Sequence, residues 1–105
     1  MINTIRKFLG LGPKADLAQL IANGAIILDV RTKGEYSSGS ARGSINIPLD
    51  QLSSHLNKLK DKEKPIITCC ASGMRSAAAK GILKSAGYTT VHNGGSWYNV
   101  QRYAK

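Results

Sequence analysis

Two adjacent cysteines, Cys69 and Cys70, open the run Cys70-Ala71-Ser72-Gly73-Met74-Arg75-Ser76. A strand-like stretch, Pro65 to Cys69, leads in, and a helical pattern over 74–86 leads out. A cysteine between a strand end and a helix start meets backbone N–H groups that have no intrahelical partner. Those donors, with the positive end of the helix dipole, favour an anion at that spot. The thiolate can be that anion, so the thiol should ionise below its free pKa of about 8.5. Gly73 lets the backbone turn with positive φ and point its N–H inward. Ser72 and Ser76 add hydroxyl donors, and Arg75 adds a permanent positive charge. The chemistry implied is an activated sulfur nucleophile in an anion-binding cradle.

The blander reading makes both cysteines small buried hydrophobes at a strand end. For Cys70 the glycine, serines and arginine that follow argue against it. For Cys69 it is preferred, because side chains alternate along a strand and two neighbours cannot both face the loop. A metal site needs more soft ligands than this pair. His55 and His92, the only histidines, fall on a predicted helix and a strand end without ligand spacing, so no metal is expected.

The elements that must position the loop can be read from periodicity. Residues 15–23 place Leu17, Leu20 and Ile21 on one helical face, with Gly24 after them. Ala25 to Val30 is a short apolar run, as in a strand buried on both faces. Residues 33–38 predict one helical turn, and 44–47 a short strand stopped by Pro48. Leu49, Leu52, Leu56 and Leu59 predict an amphipathic helix over 49–60. The third strand spans 65–69. The next helix, 74–86, should turn Ala78, Ile82, Leu83 and Ala86 inward, with Gly87 just past its end. Tyr88 to His92 predicts a fourth strand, Gly94-Gly95 a turn, and 96–103 a last helix. Alternating strands and helices imply an α/β fold with a mostly parallel central sheet of four to five short strands flanked by helices. In such a sheet the site lies beyond the carboxyl ends of the strands. Two loops leave strands there: the one after Asp29-Val30-Arg31, and the cysteine loop.

Length and composition bound the rest. With 105 residues the chain has room for one modest core. Hydrophobic residues at 42% and charged residues at 20% are a globular balance. Fifteen Lys and Arg against six Asp and Glu give +9, a surface that attracts anions. The basic residues are scattered and do not interleave with the aromatics, so no nucleic-acid surface is expected. Arg6 and Lys7 precede a short apolar stretch, Phe8 to Gly12, cut off by Pro13 and Lys14. It is shorter than the roughly 7–15 apolar residues of a signal peptide. No membrane span is evident, and the expected location is the cytoplasm, where both thiols stay reduced.

The sequence resembles the rhodanese-like sulfurtransferase family. The matching pieces are Leu28-Asp29-Val30-Arg31 with Glu35-Tyr36, then Gly43-Ser44-Ile45-Asn46-Ile47-Pro48. Pro65-Ile66-Ile67 leading into Cys70 to Ser76 follows, and finally Gly87-Tyr88 with Asn93-Gly94-Gly95. They occur in family order over roughly residues 25–97. The resemblance implies a single rhodanese-like domain over 15–105 with an N-terminal extension, 1–14. It makes Cys70 the persulfide-carrying catalytic residue and Ala71, Ser72, Gly73, Met74, Arg75 and Ser76 the substrate-binding cradle. Asp29 and Arg31 match the first-strand signature and support the site. They also read, with Glu35, as an ion-pair and capping network, the preferred reading for Glu35. Where the family often has a histidine, in Gly-His-Ile-x-Gly-Ala, this chain has Ser40.

The implied reaction moves a sulfane sulfur from a donor such as thiosulfate to a thiol acceptor through a Cys70 persulfide. It takes no cofactor. The partners implied are a small anionic sulfur donor and a thiol or carrier-protein acceptor, with the chain a monomer. Two rivals stand beside it. A phosphatase or arsenate reductase of related fold would use cysteine, five residues and arginine, which Cys69 to Arg75 satisfies. Gly73 at mid-loop, the predicted strand end, and Thr68 where a phosphatase usually has histidine favour Cys70 instead. The other rival is a non-catalytic rhodanese-like binding module. If the basic surface concentrates an anionic donor, turnover with thiosulfate falls as salt screens the +9 charge. Steady-state rates across ionic strength check this, and a flat response removes surface charge from the account.

Overall fold

The computed structural model describes residues 16–104. The expected N-terminal extension and the apolar stretch Phe8 to Gly12 lie outside the described residues. Four strands form one parallel sheet: β1 (Ile26–Asp29), β2 (Ile45–Asn46), β3 (Ile66–Cys70) and β4 (Val91–Ser96), in the order β2-β1-β3-β4. The helices are α1 (Leu17–Ala22), α2 (Lys33–Ser37), α3 (Met74–Ser85) and α4 (Trp97–Gln101). This is the α/β architecture expected from the alternation of patterns.

Strand alternation divides the core into two layers. Leu28, Val30, Ile66 and Cys70 pack on one side of the sheet with Ile47, Leu52, Leu59, Ala79 and Leu83. Ile27, Ile67 and Cys69 pack on the other with Val100 and the predicted face of α1, Leu17, Leu20 and Ile21. The two neighbouring cysteines therefore point to opposite layers.

Three local expectations are corrected. Residues 49–60 form two 3-10 turns, Leu49–Ser54 and Leu56–Lys58, and not an α-helix. The Ser54 hydroxyl and the His55 ring both bond the Gln51 carbonyl, at 3.0 and 2.8 Å, which competes with a continuing helix. Leu49 and Leu52, like Leu56 and Leu59, are one 3-10 turn apart, so Leu52 and Leu59 still enter the core with Leu49 and Leu56 packed against it. On α3, Ala79 is the buried alanine and Ala78 is exposed.

The last strand is Val91–Ser96, so Gly94-Gly95 lies within it and is not a turn. Tyr88 instead belongs to the connection, where its hydroxyl donates to the Leu59 carbonyl at 2.5 Å. Thr68 pairs with Asn93 and Cys70 with Ser96, so β4 carries one extra residue across this interval. A Cβ on Gly94 would lie 2.6 Å from a Val100 methyl, 2.7 Å from an Ile67 methyl and 3.0 Å from the Thr68 carbonyl. Gly94→Ala is therefore expected to cost about 1–3 kcal/mol by overpacking. Urea unfolding measures it, and an unchanged midpoint would contradict this packing.

Candidate active site

β3 runs on to Cys70, one residue further than its pattern predicts, and delivers that side chain under the start of α3. Gly73 caps α3 with φ +106°, a left-handed conformation that glycine adopts without strain. The turn aims its N–H at the cysteine. The Cys70 sulfur accepts from the Gly73 N–H at 3.0 Å and the Ser76 N–H at 3.3 Å, and the Ser76 hydroxyl lies 3.5 Å away. Burial opposes ionisation of Cys70. The Ser76 hydroxyl and the N–H groups of Ser76, Gly73 and Ser72 together outweigh it and hold the thiol below its ordinary range.

Cys69 faces the other layer, and burial together with the nearby Asp29 charge pushes its thiol up to about 12. It is protonated at neutral pH. The arrangement that would start a phosphatase loop at Cys69 lacks its nucleophile.

The remaining predicted loop residues are placed differently. Ala71 and Ser72 are exposed on the outside of the loop, and Met74 is 80% exposed. Ser76 is buried beside the sulfur, and the Thr68 hydroxyl donates to its carbonyl at 2.9 Å. Arg75 acts on the sulfur through space, its charge and a Cys70 thiolate favouring each other without a hydrogen bond between them. Its guanidinium makes a bidentate pair with Glu35, at 2.7 and 2.9 Å, and none of its hydrogen bonds among the described residues goes to Cys70. The pair ties α2 to the first turn of α3.

Asp29 and Arg31 sit behind the loop as a buried ion pair, with 2.8 Å between Arg31 Nη2 and Asp29 Oδ2. Arg31 also donates to the Gly39 carbonyl at 2.7 Å and the Glu35 carbonyl at 3.2 Å, and its guanidinium lies over the Trp97 ring. The residues between thus hang from the end of β1. Glu35 acts twice, closing a capping box with Thr32 and holding Arg75. Arg75 and Thr32 together lower its carboxyl to about 2.

Two asparagines complete the site without having been singled out by residue type. Asn46 donates to the carbonyls of Asp29 and Arg31, both at 3.0 Å. Asn93 on β4 bonds the Ser76 hydroxyl and the Gly73 carbonyl. A sign of Asn93 lay in the sequence, in the Asn93-Gly94-Gly95 run. A cavity of about 290 Å³ beside the loop is lined by Val30, Thr32, Pro48, Leu49, Asp50 and Arg75. No group of three or more His, Cys, Asp and Glu among the described residues could hold a metal. No helix among them is long and apolar enough to cross a membrane.

A family model described as the rhodanese-like domain matches residues 13–101. The thiosulfate sulfurtransferase PspE of Escherichia coli (strain K12) is 36% identical over 74 residues, covering 70% of this chain and 71% of that protein. A human thiosulfate:glutathione sulfurtransferase is 33% identical over 92 residues, covering 74% of this chain and 80% of its own. Among solved structures, a human single-domain sulfurtransferase superposes with a TM-score of 0.73 at 28% identity, covering 86% of this chain and 93% of that one. A rhodanese with anions from E. coli gives 0.68 at 32% identity, covering 72% and 91%.

The Glu35–Arg75 pair gives a pH signature. The carboxyl is depressed in the fold, so its contribution to stability is complete above the unfolded value of about 4.5. That contribution is lost as pH falls from there through about 2. Glu35→Gln keeps the capping box and removes the charge. Its stability deficit, read from urea midpoints, should be present at pH 7 and shrink through this acid window. A deficit that does not change with pH would mean the pair contributes nothing as a pair.

Proposed function

The chain belongs to the rhodanese-like domain family, and on that premise we propose that it is a sulfurtransferase that carries sulfur as a persulfide on Cys70. The observation that carries the reading is the convergence of the Gly73 and Ser76 N–H groups on the Cys70 sulfur. A thiolate held there is a nucleophile at neutral pH.

With thiosulfate as donor, the Cys70 thiolate attacks the outer sulfur. A new S–S bond forms to Cys70, the S–S bond within thiosulfate breaks, and sulfite leaves with that bond's electron pair. The product is a Cys70 persulfide anion, and the same N–H groups, with the Ser76 hydroxyl, stabilise it. An acceptor thiolate then attacks the terminal sulfur and leaves with it, which returns the Cys70 thiolate. No cofactor enters either step. Thiols and sulfur-carrier proteins are the acceptor classes.

Within this reading residues 71–76 are the cradle, and they divide its tasks. Gly73 and Ser76 give donors to the sulfur. Arg75, held by Glu35, fixes the first turn of α3. Cys70 itself is 0% exposed, so a sulfur donor would reach it past the exposed rim of the loop, Ala71, Ser72 and Met74. The cavity that shares Arg75 with the loop is where a donor or acceptor would rest.

Incubation with thiosulfate followed by intact-mass measurement tests the proposal. The expected result is a gain of one sulfur atom that Cys70→Ser abolishes and Cys69→Ser preserves. No adduct and no turnover would leave a binding module. Release of phosphate from an aryl phosphate would put the phosphatase reading in its place.

A further inference from the structure

Asn93 lies on β4, outside the loop that supplies the sulfur's donors, yet its amide makes two bonds into that loop and one within its own strand. Its Oδ1 accepts from the Ser76 hydroxyl at 2.5 Å and from the Gly95 N–H at 2.9 Å. Its Nδ2 donates to the Gly73 carbonyl at 3.2 Å. Ser76 is fully buried, with its Oγ 3.0 Å from the Gly73 carbonyl and 3.5 Å from the Cys70 sulfur. A hydroxyl carries one proton. Three acceptors compete for this one: Asn93 Oδ1, the Gly73 carbonyl, and the sulfur once it is ionised. The contact with Asn93 is the shortest. The Gly73 carbonyl already accepts from the Ala77 N–H at 3.1 Å and from Asn93 itself.

We propose that Asn93 is a positioning residue for the Cys70 nucleophile: it parks the Ser76 hydroxyl proton while the sulfur is protonated and yields it when the sulfur ionises. The inference rests on reading Cys70 as the nucleophile. In the thiol state, Cys70 S–H donates to Ser76 Oγ and the Ser76 hydroxyl donates to Asn93 Oδ1. When the sulfur's proton leaves to water, the Ser76 hydroxyl turns about its Cβ–Oγ bond and donates to the thiolate. It then joins the Gly73 and Ser76 N–H groups. Asn93 Oδ1 keeps the Gly95 N–H, so the turn leaves no acceptor orphaned.

Other ionisable groups near the sulfur stay out of this exchange. Arg75 on α3 is held by Glu35 of α2, Asp29 of β1 is held by Arg31, and Cys69 of β3 faces the opposite layer. Burial, with Lys80 and Lys84 of α3, shifts the ring of His92, next to Asn93 on β4, below its ordinary pKa.

Asn93 therefore competes with the thiolate for one proton. Asn93→Ala should lower the midpoint of Cys70 ionisation by about half a pH unit, the size of a lost competing hydrogen bond. That shift should vanish when Ser76 is also replaced by alanine. Asn93→Asp keeps the acceptor and strengthens it, so the midpoint should rise, and rise more with Ser76 present than with alanine there.

The test is the pH profile of iodoacetamide alkylation on the full chain carrying Cys69→Ser, in Asn93→Ala, Asn93→Asp, Ser76→Ala and the double variants. Alkylation needs no sulfur transfer, so failure here is distinguishable from failure of the sulfurtransferase reading. An unchanged or raised midpoint in Asn93→Ala overturns the proposal, as does the same shift with and without Ser76. If Asn93→Ala does not fold, Asn93→Asp decides: a midpoint that falls, or that rises equally in both backgrounds, overturns it.

Discussion

The convergence of two amide N–H groups on one sulfur is the contact on which the rest of this structure depends. It requires β3 to end with the Cys70 side chain on the α3 side of the sheet. It requires Gly73 in a left-handed turn, so that its N–H reaches back to the residue three before it. It also requires α3 to begin at once, leaving the Ser76 N–H without a helical acceptor and free for the sulfur. Burial alone would keep Cys70 protonated. Donors fixed in place before any reaction outweigh burial and lower the thiol's pKa, and need not reorganise when charge arrives. Cys69, one residue away in the opposite layer, has burial without the donors and is held protonated.

Behind the loop, polar contacts fix geometry more than they supply stability. The Asp29–Arg31 pair is almost fully enclosed. Removing one partner from such a pair costs about 3–5 kcal/mol, because the other charge is left buried alone, whereas intact pairs are close to neutral against apolar packing. Its use here is to hang the 35–39 segment from the end of β1. Glu35 then reaches α3 through a half-exposed bridge, a class of contact worth little in stability. The line from Asp29 through Arg31 and Glu35 to Arg75 links the two loops that leave the sheet's carboxyl edge.

Much of this was legible in the sequence because the cues are local. A strand's alternation separates Cys69 from Cys70 whatever surrounds them. Glycine after a strand-end cysteine signals the turn at Gly73, and the apolar runs at 25–30 and 65–69 mark the central strands. What the sequence hid depends on partners distant in the chain. Leucines spaced by three and four fit an α-helix and a pair of 3-10 turns alike, and the Ser54 and His55 bonds to Gln51 decide between them. Gly94-Gly95 has the composition of a turn, yet Gly94 is a strand residue because Val100 and Ile67 leave no room for a Cβ. The tie from Arg75 to Glu35 was hidden because the two lie 40 residues apart. Asn93 is an ordinary polar residue until β4 brings it against Ser76.

Ultraviolet titration of thiolate absorbance reads the charge on the Cys70 sulfur without any substrate. A thiolate is expected to form below the ordinary cysteine range, to persist in Cys69→Ser and to disappear in Cys70→Ser. A first ionisation at or above the ordinary value, or one that survives the loss of Cys70, would contradict it.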